Sequence, residues 1–232
     1  MVFDFLKGEL LLIDKPLEWT SFDAVNKIRR IIEKQIGAKL KVGHAGTLDP
    51  KATGLLLICT GAMTKQIVNL TGLDKEYTGT FFIGATTPCY DTEKPVDRTF
   101  PTDHITEEMV RNAAKKFTGT IQQVPPTFSA KLIDGKRAYL SARKNKEIKM
   151  EPVTVTISEF EITRIALPEI GFRVVCSKGT YIRALARDFG EELGSGGYLA
   201  SLRRTRVGEY WIEDALNIEQ FEIICRPGLP TS

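Results

Sequence analysis

The segment GHAGTLDPKATG, residues 43–54, places three glycines and a proline around a single carboxylate, Asp49. Its composition is too irregular to predict a helix or a regular strand ladder, because Gly43 and Gly46 allow backbone conformations that other residues avoid. Pro50 biases Asp49 toward an extended backbone. An aspartate in such a loop either hydrogen-bonds the nearby backbone in a turn or acts as a covalent nucleophile.

The glycines of this segment do not match the common phosphate-binding patterns. A P-loop requires lysine followed by serine or threonine after G-x-x-x-x-G, and the segment has no such pair. The spacing of Gly43, Gly46 and Gly54 also departs from the dinucleotide-binding fingerprint. Aspartic proteases and retaining glycosidases use paired carboxylates, whereas Asp49 is the only carboxylate here.

Two further segments carry residues suited to a reactive site. Tyr181 and Arg183 lie in CSKGTYIRALARDFG, at a predicted strand-to-helix junction, and a guanidinium close to Asp49 would keep that carboxylate ionised. Tyr77 lies on a predicted strand in DKEYTGTFFIG. Taken alone, Arg183 also fits a solvated helix charge and Tyr77 a core aromatic.

The elements that position these residues are predicted from apolar periodicity and capping patterns. The clearest is a helix over residues 20–37, because Thr20 and Asp23 have capping-box spacing and Gly37 ends the pattern. Its apolar positions are Phe22, Val25, Ile28 and Ile32.

The other predicted elements interleave irregularly, which favours the α+β class with a mainly antiparallel or mixed sheet. Strands are predicted at 9–14, 55–61, 75–85, 121–124, 153–164, 171–177 and 207–212, and helices at 63–72, 107–117, 137–145, 181–193 and 217–224.

The composition is that of a globular protein, with 232 residues of which 42% are hydrophobic and 26% charged. No apolar run approaches the roughly 18 to 20 residues of a membrane-spanning helix. The N-terminus lacks the features of a secretory signal, so we expect a cytoplasmic protein. The four cysteines are widely spaced and only two histidines occur, which predicts reduced, buried thiols and no zinc site.

The net charge of +3 permits a polyanionic partner without requiring one. Basic residues concentrate in two segments, DGKRAYLSARKNKEIK at 134–149 and LRRTR at 202–206.

Six segments, in this order along the chain, resemble the signature segments of the TruB type of tRNA pseudouridine synthase. The resemblance runs from about residue 8 to about residue 212. The segments are LLIDKPLEWTSFDAV, GHAGTLDPKATGLLLICTG, KEYTGTFFIGATT, QVPPTFSAKLIDGKRAYLSAR, CSKGTYIRALARDFGEELG and GYLASLRRTRVG.

The resemblance implies the pseudouridine synthase fold, a central sheet flanked by helices with an active-site cleft. It implies a catalytic domain over residues 1–212 and a C-terminal tail over 213–232. That tail is too short for the RNA-binding PUA domain that many bacterial members carry.

The resemblance also implies an activity: isomerisation of uridine to pseudouridine at position 55, in the T-loop of tRNA, without metal or organic cofactor. Asp49 matches the family's nucleophile, which attacks either ribose carbon 1′ or the base ring. A non-catalytic RNA-binding protein on the same scaffold is the alternative, and a glycosidic hydrolase is a third hypothesis.

Other matched residues receive substrate-binding roles from the resemblance. Arg183 matches the arginine that pairs with the nucleophile, and Tyr77 the tyrosine that stacks on the extruded uracil and is a candidate for proton transfer. Tyr181 and Leu202 match the remaining wall of the pocket.

Two residues near the nucleophile match parts of the family that act on the RNA or support the site. His44 matches the histidine that enters the space vacated by flipped nucleotides, since the glycosidic carbon is inaccessible inside a folded loop. Lys15, from D-K-P, is expected to be structural or electrostatic rather than chemical.

The partner implied by the resemblance is the T-arm stem-loop of tRNA. Phosphate contacts are expected from the two basic clusters, so binding should weaken as salt rises. For Arg203, Arg204 and Arg206 a solvated surface is the alternative. We expect a monomer with no membrane association.

The chain departs from the family pattern at several positions. Glu18 stands where the family commonly has glycine after D-K-P-x, and Cys89 stands where a second threonine is common.

Overall fold

The computed structural model describes residues 3–126, 132–133, 136–137 and 150–226. Within these ranges the chain forms strands and helices in the irregular alternation expected of an α+β protein. The strands are β1 (Leu10–Lys15), β2 (Val42–Ala45), β3 (Ala52–Thr60), β4 (Lys75–Ile83), β5 (Ala85–Thr86), β6 (Arg98–Thr99), β7 (Gly119–Gln123), β8 (Leu132–Ile133), β9 (Lys136–Arg137), β10 (Val153–Ala166), β11 (Glu169–Cys176), β12 (Gly197–Val207) and β13 (Tyr210–Trp211). The helices are α1 (Ser21–Ile36), α2 (Ile67–Gly72), α3 (Glu107–Phe117), α4 (Ile182–Glu192) and α5 (Ile218–Ile224), with 3₁₀ turns at Gly61–Gln66 and Ile212–Asp214.

The chain divides into two compact units. The first unit contains residues 3–77 and 203–226 of the described chain, and the second unit contains the described residues of 78–202. The chain therefore leaves the first unit inside β4 and returns to it inside β12. The α+β class is confirmed, while the division into a domain over 1–212 and a tail over 213–232 stays a prediction.

The first unit is organised around β3. Both β1 and β2 pair with it antiparallel, so that Ile13 lies opposite Leu56 and His44 opposite Ile58. Side chains on the two faces of β3 contribute to two separate apolar clusters, Leu56 and Ile58 to one, Leu55 and Leu57 to the other. Burial on both faces explains why the strand is continuously apolar rather than alternating.

Helix α1 packs on the first of these clusters. The Thr20 hydroxyl accepts a hydrogen bond from the Asp23 amide at 3.0 Å, and the Asp23 carboxylate accepts from the Thr20 amide at 2.9 Å, which completes the predicted capping box. Gly37 ends the helix with φ +67°, a left-handed conformation suited to glycine. Phe22 was predicted on the apolar face but is 64% exposed.

The second unit has an aromatic core. Strand β10 pairs antiparallel with both β7 and β11. Phe81 stacks on Phe172 with ring centroids 4.1 Å apart. The ring centroid of Phe189, on α4, lies 5.4 Å from that of Phe81. The prediction of a strand-to-helix junction before Arg183 is confirmed, because β11 ends at Cys176 and α4 begins at Ile182.

The structure corrects three predictions of local structure. Residues 42–45 form β2 and residues 52–60 form β3, so only 46–51 of the glycine-rich segment lie outside the sheet. The helix predicted at 63–72 begins as a 3₁₀ turn and becomes α-helical only at Ile67. The strand predicted at 207–212 is not continuous: β12, which begins at Gly197, ends at Val207, and a turn at 208–209 separates it from β13. The helix predicted at 137–145 lies outside the described residues.

All four cysteines are free and buried, as predicted. Burial raises the pKa of the Cys59 and Cys225 thiols to about 11. Burial also raises the pKa of Cys89. Across the described ranges, no helix has both the length and the apolarity needed to cross a membrane.

The capping box of α1 generates a stability prediction. Substitution Thr20→Ala leaves the Asp23 amide without its side-chain acceptor, and we expect the free energy of unfolding to fall by about 1 kcal/mol. Urea denaturation followed by circular dichroism measures the change.

The matched control is Thr71→Ala in α2. The exposed Thr71 hydroxyl donates to the Ile67 carbonyl at 2.7 Å within the same helix and caps nothing, so its loss should cost less than about 0.5 kcal/mol. Equal losses in the two variants would contradict the capping argument.

Candidate active site

Asp49 lies in the six-residue loop 46–51 between β2 and β3, which we call the Asp49 loop. The side chain is partly buried, and its backbone carbonyl accepts a hydrogen bond from the Ala52 amide at 3.0 Å. A turn closed by this bond leads directly into β3. Strand β3 therefore begins three residues after Asp49, and this restricts the backbone conformations that Asp49 can adopt.

Ser21, the first residue of α1, holds the centre of the Asp49 loop. Its hydroxyl donates to the Leu48 carbonyl at 3.0 Å and accepts from the Leu48 amide at 2.8 Å. Both residues are buried, with exposures of 2% and 3%. Since an unpaired polar group in such surroundings is costly, this reciprocal pair ties the loop to the start of the helix.

Glu18 holds the far side of the loop. Its amide donates to the Pro50 carbonyl at 2.9 Å, and its carboxylate accepts from the Lys51 ammonium at 2.6 Å. Glu18 has φ +65°, in the left-handed region that glycine adopts without strain. Glycine, which the resemblance leads us to expect at this position, would adopt the same conformation without strain.

Lys15 is fully buried at the end of β1. Its ammonium donates to the carbonyls of Pro16 at 2.8 Å and Trp19 at 2.6 Å. Burial lowers the pKa of Lys15 to about 8, while the negative charge of Asp49 opposes this shift and the positive charge of Arg204 adds to it. Lys15 therefore lies within electrostatic reach of Asp49, as the expected electrostatic role requires.

His44 projects from β2 and is partly buried. Burial lowers its pKa, and the nearby charge of Arg204 lowers it further, although the Gly46 backbone acts in the opposite sense. The imidazole is therefore neutral near pH 7. Within the part of the chain that the structure describes, the buried Nδ1 atom has no hydrogen-bond partner.

Arg204 occupies a place that the sequence did not predict. It is 1% exposed, so it is neither a phosphate contact nor a solvated surface residue. Its Nε donates to the Leu55 carbonyl at 2.7 Å and its Nη2 to the Gly46 carbonyl at 3.0 Å. The guanidinium thus bonds backbone on both sides of the Asp49 loop.

The neighbouring arginines remain partly exposed. Arg203 makes a two-point ion pair with Asp14, at 3.1 and 2.7 Å. Arg206 lies 3.9 Å from the Glu76 carboxylate and 5.0 Å from the centre of the Trp211 ring. The phosphate contacts expected of Arg203 and Arg206 stay predictions, and the basic segment 134–149 lies outside the described residues except for the strand backbone at 136–137.

Arg183 is buried in the second unit, at the start of α4. Its Nε lies 3.6 Å from a carboxylate oxygen of Asp91, and its Nη1 donates to the Cys89 carbonyl at 3.2 Å. The Cys89 thiol donates to the other Asp91 oxygen at 2.9 Å. The sequence did not identify Asp91 as a partner of Arg183, because the two lie far apart in the chain. The predicted pairing of Arg183 with Asp49 stays a prediction.

Tyr181 is fixed by its backbone at the N-terminus of α4. Gln123, which is fully buried, accepts from the Tyr181 amide at 2.8 Å and donates to its carbonyl at 3.1 Å. Leu202 is partly buried on β12 in the same unit. Tyr77 belongs to the first unit, on β4, and is 8% exposed.

The predicted residues thus fall into two groups. The first unit carries Lys15, His44, Asp49 and Tyr77, and the second carries Tyr181, Arg183 and Leu202. Among the residues described, no group of three or more histidine, cysteine or acidic side chains is arranged to hold a metal ion.

Comparison with known proteins identifies two matching family models. The TruB family pseudouridylate synthase N-terminal domain matches residues 29–182, and the tRNA pseudouridylate synthase B C-terminal domain matches residues 183–226. Together they cover both groups of predicted residues apart from Lys15.

Curated relatives are similar over nearly the whole chain. A protein of Flavobacterium johnsoniae named tRNA pseudouridine synthase B is 58% identical, with 94% of this chain and 96% of the relative covered. A protein of the same name from Phocaeicola vulgatus is 55% identical, with 94% and 93% covered.

Solved structures show the same fold. The archaeal box H/ACA sRNP Nop10-Cbf5 complex contains a chain that matches with a TM-score of 0.67 and 25% identity, covering 95% of this chain and 54% of that one. A Cbf5-Nop10-Gar1 complex matches with a TM-score of 0.69 and 25% identity, covering 97% and 58%. The chain therefore spans little more than half the length of these structural relatives.

The burial of Lys15 predicts a pH dependence of stability. The pKa of Lys15 is about 8 in the folded protein, against an ordinary value of 10.5. Between these values the unfolded chain binds more protons than the folded one, so stability rises with pH in this window. Relative to Lys15→Met, the wild-type free energy of unfolding should rise by up to about 3 kcal/mol from pH 8 to 10.5.

Urea denaturation of both proteins across this pH range measures the effect. Taking the difference between them removes the contributions of all other titrating groups. A difference that stays constant from pH 8 to 10.5 would show that the Lys15 ammonium is not destabilised by burial.

Proposed function

This chain belongs to the TruB family of pseudouridylate synthases, and we propose that it modifies the uridine at position 55, in the T-loop of tRNA, with Asp49 as the nucleophile. It is an isomerase that converts uridine in tRNA to pseudouridine. In this reaction the bond between N1 of uracil and ribose carbon 1′ breaks and a bond from carbon 5 to carbon 1′ forms. Carbon 5 loses a proton and N1 gains one, so no atoms are added or lost.

The observation that carries the proposal for Asp49 is the fixed loop on which it lies. Ser21 and Glu18 bond the loop at Leu48 and Pro50, on either side of the carboxylate. A nucleophile held in one geometry reacts with a bound substrate at a much lower entropic cost. A simple turn-forming aspartate has no need of these additional anchors.

The charges around the loop suit a reactive carboxylate. Attack on ribose carbon 1′ and attack on the base ring both require ionised Asp49, and the buried Lys15 places a positive charge within electrostatic reach of this residue. We propose that Arg183 pairs with Asp49 as it does in the family, with Asp91 holding the guanidinium in place. The chemistry then uses only protein side chains and groups of the substrate.

The remaining matched residues are proposed to bind the extruded nucleotide. Tyr77 stacks on the uracil and is a candidate for proton transfer, while Tyr181 and Leu202 form the pocket wall. The backbone of Tyr181 is bonded at both its amide and its carbonyl by Gln123, which suits a fixed wall.

His44 is proposed to occupy the space that the flipped nucleotides leave. The low pKa of this histidine favours that role, because a neutral imidazole enters a stack of bases without the desolvation cost of a charge.

The proposed partner is the T-arm stem-loop, bound through its phosphates by Arg203 and Arg206 and by the basic segment 134–149. Both arginines lie on β12, where Arg203 forms an ion pair with Asp14 and Arg206 forms one with Glu76. We propose that the protein acts as a monomer in the cytoplasm, where its tRNA substrate is found.

The role of Asp49 is tested by tritium release from tRNA labelled at carbon 5 of uracil. Wild-type protein should release the label without shortening the RNA or leaving abasic sites. Asp49→Asn keeps the size of the side chain but removes the nucleophilic charge, and its single-turnover rate should fall by at least about 1,000-fold.

The matched control is Asp103→Asn, which neutralises an exposed carboxylate of the second unit and should keep the wild-type rate. Undiminished release by Asp49→Asn would overturn the nucleophile assignment. Binding without release by the wild type would favour the RNA-binding alternative, and abasic RNA would favour a hydrolase.

The substrate proposal is tested with an isolated T-arm stem-loop. We expect the stem-loop to be modified at the uridine of position 55, and the same RNA with cytidine there to bind without releasing label. Raising salt from 50 to 200 mM should weaken binding of both RNAs by on the order of 10-fold or more. Modification only of full-length tRNA, or of a different uridine, would contradict the proposed target.

A further inference from the structure

Arg204 is a buried cation without a role in the proposed chemistry. It lies on β12 at 1% exposure, where an RNA phosphate has no access to its side chain. A buried charge costs free energy unless it is well bonded, and Arg204 is bonded to carbonyl oxygens, at Gly46 and Leu55. Its position therefore depends on the backbone of the Asp49 loop.

The two bonded carbonyls lie on opposite sides of Asp49. Gly46 is the first residue of the loop, and Leu55 lies in β3 just beyond its end. A guanidinium is planar and presents its donors in a fixed fork. Bonding both carbonyls at once therefore fixes the distance between the two flanks of the loop.

Glycines on both flanks of the loop lie next to Arg204. Gly46 has φ +91°, and a Cβ atom there would lie 3.4 Å from Nη1 of Arg204. Gly54 has φ +104°, and a Cβ atom there would lie 2.3 Å from the Arg204 carbonyl oxygen. Glycine at position 54 allows the backbone of Arg204 to approach β3, whereas at position 46 a Cβ atom would make ordinary van der Waals contact and glycine is favoured by the positive φ.

We propose that Arg204 is a positioning residue for the isomerisation, acting through the carbonyls of Gly46 and Leu55 to hold Asp49 in its reactive place. This inference rests on the proposed role of Asp49 as the nucleophile. It assigns Arg204 to the catalytic step and not to RNA binding.

The electrostatic surroundings support this assignment. The positive charge of Arg204 contributes to the lowered pKa of both Lys15 and His44, so the guanidinium lies within reach of the two titratable side chains next to the loop. It thereby favours the neutral form of His44 while it bonds the loop.

The test separates positioning from binding. Arg204→Lys keeps the charge but loses the planar fork, so that one ammonium replaces donors directed at two carbonyls. We expect the single-turnover rate at saturating tRNA to fall by on the order of 100-fold, with an unchanged dissociation constant for tRNA. The matched control Arg30→Lys changes an exposed arginine of α1 and should alter neither quantity.

A second variant approaches the same contact from the loop. Gly46→Ala strains the backbone at φ +91°, at the residue whose carbonyl accepts from Arg204, and removes no charge, so it tests the proposal even if Arg204→Lys does not fold. It should lower the same rate and leave binding unchanged. Because both variants act on one contact, the loss in the double variant should be smaller than the product of the single losses.

Each outcome decides the question. A folded Arg204→Lys with the wild-type rate would overturn the proposal, as would weaker tRNA binding with an unchanged rate at saturation. If Arg204→Lys does not fold, a wild-type rate in Gly46→Ala would overturn it. An active Asp49→Asn would instead refute the nucleophile assignment, whatever the Arg204 variants show.

Discussion

The reciprocal hydrogen bonds between Ser21 and Leu48 are the constraint on which the geometry of the candidate site depends. They join the first residue of α1 to the residue before Asp49, so the place where the helix begins determines where the carboxylate lies. The helix begins where the Thr20 capping box ends the preceding segment. A local signal in one segment therefore controls the position of the Asp49 carboxylate some thirty residues later, through the buried Ser21 hydroxyl.

Two of the buried cations of the first unit, Lys15 and Arg204, lie near the Asp49 loop. Lys15 and Arg204 both donate to backbone carbonyls, so their positive charges are solvated by peptide dipoles. A charge that is solvated by dipoles still acts on its neighbours, because the surrounding medium has a low dielectric constant. The charge of Arg204 lowers the pKa of both His44 and Lys15. A neutral imidazole suits the proposed insertion of His44 into an opened RNA loop.

Features that depend on local sequence were predictable, and features that depend on distant pairing were not. The capping box of α1 and the continuous apolar run of β3 gave correct elements because propensity and burial act over a few residues. His44 was assigned to irregular chain because β2 becomes a strand only through pairing with β3. Arg204 was assigned to the surface because its partner Leu55 lies 149 residues away. The sequence does not predict the backbone conformation of Glu18, whose positive φ lies in the region that glycine favours.

The four buried thiols make this chain a convenient background for site-specific labelling. Alkylating reagents attack the thiolate, and both burial and the raised pKa of Cys59, Cys89 and Cys225 keep that form scarce. A single cysteine introduced on the exposed surface would then react in preference to the native ones, without the need for a cysteine-free variant. Fluorophores or spin labels placed in this way would report on RNA docking in a protein whose core is chemically unaltered.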